Sequence, residues 1–226
     1  MLKMLTGKTS NKGFVRNVIT LIMGTAFGQA ILVLFTPVLT RLFSPENYGV
    51  YGNFISITTI ITVIISLRYE LAIVLPKSSD EAKKIVTMSM LIVFFFSFIL
   101  LLVIWLFGEK LSLSFKWLDS EYLYFIPIYA CLVGLFQILN YWFTRTKDFK
   151  YLAISQSGRS LSTVGVQLLA GSFFLLGAYG LIIGQLIGQL FAVVFLFSLL
   201  LRNHNKDYRQ FFYINLKELK KLAKKY

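Results

Sequence analysis

Three arginines and one glutamate stand in or beside stretches that are otherwise apolar. Arg68 and Glu70 interrupt "ISLRYELAIVLPK" at 65–77, Arg145 lies in "NYWFTRTKDFK", and Arg159 lies in "YLAISQSGRSLST". A guanidinium presents a fixed fork of donors that matches phosphate or carboxylate oxygens, so the chemistry on offer is anion binding. Arg68 and Glu70 are two residues apart, and on one helix they would point to nearly opposite sides. Each then needs a partner elsewhere: another helix, water, a head group or a ligand. A long arginine can also snorkel to the membrane surface, while the shorter Glu70 is expected to orient the helix end. Catalysis is not expected. The single His204 and the single Cys131 allow no internal disulfide, metal cluster or intramembrane acid–base set. No catalytic residue, metal or cofactor is assigned.

The elements that would position these groups follow from composition. Hydrophobic residues make up 57% of the 226 residues, charged residues 15%, and the mean hydropathy is +0.71. A soluble domain has about 45–50% apolar and about 25% charged residues. The expected fold class is therefore all-α, a polytopic membrane bundle of six transmembrane helices. The apolar blocks place them at Phe14–Leu42, Val50–Leu75, Val86–Phe107, Leu123–Trp142, Leu152–Leu176 and Leu181–Leu201. They lack the period of two that a β-barrel requires. The first run is too long for a cleaved leader and has no small-residue cleavage site. "SPENYG" reads as a helix start, with Ser44 as cap and Pro45 in the first position. Two domains are expected: the bundle over 1–210, and a basic amphipathic tail over 211–226, "FFYINLKELKKLAKKY".

The net charge of +13 invites a nucleic-acid reading, but its distribution argues against one. With the N-terminus inside, twenty basic residues fall on the inner side and three, Arg41, Lys110 and Lys116, on the outer. That asymmetry places both termini in the cytoplasm and favours anionic membrane lipids as neighbours. On this topology Arg68, Arg145 and Arg159 all lie towards the cytoplasmic side.

Within the spans, small and polar residues recur at helical spacing. The first carries Asn17, Thr20, Gly24 and Gly28, with Gln29 beside them; the fourth carries Gln137, Asn140 and Thr144. The fifth carries Ser160, Thr163, Gln167 and Gly171, and the sixth repeats Gly180, Gly184 and Gly188 next to Gln185 and Gln189. Close helix packing explains such strips, and so does a water-filled cavity between helices. Packing is the expectation for the glycine ladder. The cavity reading makes Gln29, Asn140 and Gln167 candidate substrate-binding residues beside Arg68, Arg145 and Arg159. The third span is almost purely hydrocarbon and is expected to face lipid.

Four segments together, "FGQAILVLFTPVLTRLFSPENYGVYGNF", "SLRYELAIVLPKSSDEA", "YWFTRTKDFKYLAISQSGRS" and "YGLIIGQLIGQLF", resemble the polysaccharide or O-antigen flippases. These belong to the multidrug/oligosaccharidyl-lipid/polysaccharide exporter superfamily. The resemblance covers essentially the whole chain. It implies a bacterial inner-membrane transporter that carries an undecaprenyl-pyrophosphate-linked oligosaccharide to the outer leaflet for surface polysaccharide, including O-antigen of lipopolysaccharide. It also implies a lipid-linked oligosaccharide as partner, held by a cationic cavity. Family members have two lobes, so the six spans correspond to the N-terminal half. A second lobe, or a homo- or hetero-oligomeric partner, is expected to complete the cycle. Rival readings are a small-molecule or drug antiporter of the same superfamily, for which only Glu70 is available as an intramembrane acid, and a non-transporting half-lobe with a structural role.

The charge split yields a direct test. In a Cys131→Ser background, a cysteine replacing Ser112 is expected to react with an impermeant reagent added outside. Labelling only from the cytoplasmic side would overturn the topology.

Overall fold

The computed structural model describes residues 8–114 and 120–203, and the amphipathic tail expected over 211–226 lies outside them. Six long helices run through the described residues: α1 (Lys8–Leu42), α2 (Pro45–Ile65), α3 (Ser79–Ser114), α4 (Phe125–Arg145), α5 (Phe149–Leu169) and α6 (Ala178–Asn203). A 3-10 segment, Tyr69–Val74, joins α2 to α3, and a π-helical turn, Ala170–Phe174, extends α5. No strand occurs among the described residues. The chain is an all-α membrane bundle.

By length and composition, five stretches can cross a membrane: Val18–Leu42, Pro45–Ile65, Ser79–Lys110, Glu121–Arg145 and Ala178–Arg202. The fifth expected span, now α5, is too polar to qualify. Its packing gives the physical reason. Ser155, Ser160, Thr163 and Gln167 are buried, while Ile154, Leu161 and Leu169 are exposed. This inverts the water-soluble pattern: polar groups turn to neighbouring helices and apolar groups turn to lipid.

α5 runs beside α1 and α6 along its whole length. A Cβ on Gly24 would clash with Ala153, and one on Gly28 would sit 2.9 Å from Ser160 Oγ. Gly171, beyond the end of α5, meets Leu42 and Phe43, so α1 and α5 run parallel. On the other flank Gly188 abuts Thr163 and the Arg159 carbonyl, Gly184 abuts Gln167, and Gly180 meets Ala170. That pairing is antiparallel. The ladder of the sixth span is therefore a packing device, as its spacing suggests, and Gly24 and Gly28 do the same work on α1.

The other helices form the remaining core. α4 packs on α2, α3 and α6. Ile138, Leu139, Trp142 and Phe143 are buried with Ile85, Val86, Val93 and Leu196. α3 faces outward as expected: Phe94, Phe95, Phe98, Trp105 and Phe107 are all exposed.

α2 begins as the sequence indicates. Ser44 is the N-cap and accepts from the Asn47 N–H at 3.3 Å, with Pro45 following. It ends sooner than expected, at Ile65 rather than Leu75. Its 21 residues already span ~31 Å, the thickness of the hydrocarbon layer. Leu67 and Arg68 then turn the chain with φ of 48° and 59°, a left-handed geometry costing about 1–2 kcal/mol per residue. The apolar residues that follow fold back instead of extending the helix, and Ala72 and Ile73 are buried.

The glycine contacts predict opposite outcomes at two positions. Gly188→Leu is expected to lower stability by at least about 1–3 kcal/mol through overpacking. At Gly52 a Cβ would have nothing within 4 Å, so Gly52→Ala is expected to be neutral or stabilising by up to about 1 kcal/mol. Thermal unfolding of purified protein checks both. Equal tolerance at the two sites would contradict the packing.

Candidate functional site

Four helices bring polar groups together at membrane depth. Arg159 stands ten residues after Phe149 in the 21-residue α5, ~15 Å along the axis and thus near the middle of that helix. α6 supplies Gln185 and Gln189, which share a face at i, i+4. α4 supplies Tyr129 and Phe136, aligned at i, i+7. α2 supplies Tyr51. The glycines of α6 allow the arrangement: Gly184 and Gly188 bring the backbone against α5, so their neighbours Gln185 and Gln189 reach across.

Two sets of bonds connect the cluster. Tyr51 OH donates to Gln185 Oε1 at 3.3 Å, and Gln185 Nε2 donates to Tyr129 OH at 2.8 Å. Arg159 Nη1 donates to Gln189 Oε1 at 3.1 Å, and its Cζ lies 5.5 Å from the centre of the Phe136 ring. Tyr129 and Phe54 rings pack at 5.6 Å. Gln189 is fully buried, and its Nε2 has no hydrogen-bond partner.

The electrostatics follow from arginine itself. A guanidinium does not lose its proton in a protein, so the charge must be stabilised in place. Here, among the described residues, it meets a neutral amide and an aromatic face rather than a carboxylate. The ring contact supplies about 0.5–2 kcal/mol, far less than the cost of taking a charge out of water. Arg159, Gln185 and Tyr51 are only half-buried, so the cluster remains open to water or to an anion.

The other expected site residues are placed differently. Arg145 donates through Nη1 to the carbonyls of Ile73 and Val74 at 3.1 and 3.3 Å, and through Nη2 to the Ser78 carbonyl at 3.2 Å. It clamps the folded-back segment onto the end of α4 and is not a ligand arm. Arg68 is exposed on the turn after α2, outside any helix and away from the cluster. The three arginines are therefore not brought together: Arg68 lies on the turn, Arg145 on the loop carbonyls and Arg159 within α5. Gln167 is buried and donates to the Leu181 carbonyl at 3.0 Å, a helix-to-helix tie rather than a free binding group. Gln29 is exposed on α1, outside the cluster. Asn140 is half-buried one turn beyond Phe136, on the same face of α4. Glu70 is 2% exposed within the 3-10 segment, and its Oε2 has no partner.

A family model described as polysaccharide biosynthesis protein matches residues 14–224. The chain belongs to this family. No curated protein and no solved structure matches it. The polysaccharide biosynthesis family assignment agrees with the resemblance carried by the four segments and places this membrane bundle in polysaccharide synthesis or export. Tyr51, Tyr129 and Phe136 join the candidate cluster although the sequence alone does not single them out. A signal for the two glutamines is present in it: each directly follows a ladder glycine.

The clamp generates a prediction. Hydrogen bonds to a charged group contribute about 1.5–3 kcal/mol each when buried, and these are partly exposed. Arg145→Ala is expected to lower stability by about 2–3 kcal/mol and to expose 66–78 to protease. Arg68→Ala is expected to change neither. Identical proteolysis of the two variants would remove the distinction.

Proposed function

We propose that this member of the polysaccharide biosynthesis family flips a lipid-linked oligosaccharide, undecaprenyl-pyrophosphate-linked, from the inner to the outer leaflet of the bacterial cytoplasmic membrane. The Arg159 cluster receives the polar, anionic head as it crosses, and Asn140 extends the same lining. The observation that carries the reading is a permanently charged arginine midway along α5 whose partners among the described residues are neutral, beside the Gln189 Nε2 that has no partner. Polar groups at this depth face a cavity or a pathway. An anion would supply the missing countercharge, and phenols and amides suit sugar hydroxyls. The protein acts by binding and reorienting, not by bond chemistry. Rocking one bundle against another requires a partner bundle, a second lobe or another copy.

A second reading, small-molecule antiport, is favoured by Glu70, whose buried carboxylate oxygen without a partner suits binding of a cation. The two readings separate by substitution. Arg159→Gln at the native locus, normalised to membrane abundance, is expected to reduce surface-polysaccharide display about ten- to a hundredfold, the weight of a charge-assisted phosphate contact. Arg159→Lys should give an intermediate loss, because the charge remains and the fork is lost. Wild-type display with Arg159→Gln would overturn the proposal. Unchanged display together with altered drug tolerance in Glu70→Gln would favour antiport.

A further inference from the structure

A furrow runs along α4 and α6. Two hollows of about 540 and 490 Å³ meet at Phe94 and Leu135, which line both. The first reaches from there to Leu101 and Pro127, and the second to Leu139, Val194 and Leu201. From Pro127 to Leu139 the furrow follows α4 for ~18 Å, and it then continues along α6. Its lining is apolar except for Ser97, Cys131 and Ser198. Leu201, at its α6 end, is followed by the exposed Arg202 in the last turn of the helix. The first turns of α3 carry Lys83 and Lys84, but Lys83 is buried and ion-paired with Asp80, and Glu81 adjoins them, so the cation next to the furrow's end is Arg202.

We infer that this furrow holds one hydrocarbon chain of an anionic phospholipid, with the phosphate at Arg202. Long, narrow and apolar with a cationic end is the shape and charge of such a molecule. Basic pockets between helices near the membrane surface take anionic head groups. A helix of a second copy is a poorer occupant. Helix association in lipid relies on small or polar residues, whereas bulky Phe94 and Phe98 are exposed along this furrow. The tail of the transported lipid is the alternative occupant, and it would bring its head to Arg159 rather than to Arg202.

Native mass spectrometry of the purified full-length chain tests the inference, with phosphatidylglycerol and phosphatidylcholine of matched chains as probes. The wild type is expected to retain phosphatidylglycerol about fivefold better, the contribution of one cationic side chain near an anionic head group. Arg202→Gln should abolish that preference without lowering phosphatidylcholine retention. Ser198→Trp should lower retention of both lipids by filling the furrow. Equal retention of both lipids by the wild type, or a preference that survives Arg202→Gln, overturns the inference. Displacement of phosphatidylglycerol by an equal amount of undecaprenyl phosphate also overturns it, by giving the furrow to the substrate tail. If Ser198→Trp does not fold, Arg202→Gln decides alone. None of these residues belongs to the Arg159 cluster, so the outcome is independent of the transport reading.

Discussion

The close approach of α5 to both its neighbours is the constraint on which the rest of the structure depends. In a bilayer no hydrophobic force draws helices together, since lipid tails are as apolar as leucine. Backbones must come near enough for dispersion and side-chain bonds to act. Gly24 and Gly28 on one flank and Gly180, Gly184 and Gly188 on the other provide that nearness. α5 is the most polar of the long helices, and it tolerates its depth because these contacts enclose it. The Gln167 bond to the Leu181 carbonyl and the Ser157 bond to the Gly24 carbonyl add ties on each side.

That enclosure also sets the character of the Arg159 cluster. The charge is held within α5 by groups from two other helices, and neither the Gln189 amide nor the Phe136 ring neutralises it. A carboxylate there would have made a closed ion pair, stable but inert. An amide and a ring face leave the charge available. The unpaired Nε2 of Gln189 has the same consequence, because a buried donor without an acceptor favours any ligand that supplies one. Structural and functional residues alternate along α6: glycines bring the helices together, and the adjacent glutamines project into the gap.

At the other end of the bundle the physics is mechanical. α2 stops where the hydrocarbon layer is spanned, and the next ten residues fold back through two residues with positive φ. Such a turn persists only if its surroundings hold it. Burial of Ala72 and Ile73 and the three Arg145 bonds do so. An arginine that resembled a ligand arm in the sequence is consumed by backbone carbonyls, which explains why it is near the others in type and not in role.

Composition alone determined the solvent, the helical class and the glycine ladder, because lipid exposure and 3.6-residue spacing are local properties of the chain. The Ser44–Pro45 start and the lipid-facing third span were legible for the same reason. The end of α2 was not, since "LAIVLP" is equally apolar in a span or in a folded-back segment, and only packing on α3 and α4 distinguishes them. Nor was the site. Arg68, Arg145 and Arg159 are alike in the sequence; what each meets across the bundle differs: solvent at the turn, carbonyls at the loop, and neutral groups within α5. Phe136 and Gln189 come from helices far apart in the chain, and only the tertiary structure, by setting helix order and register, could bring them to one guanidinium.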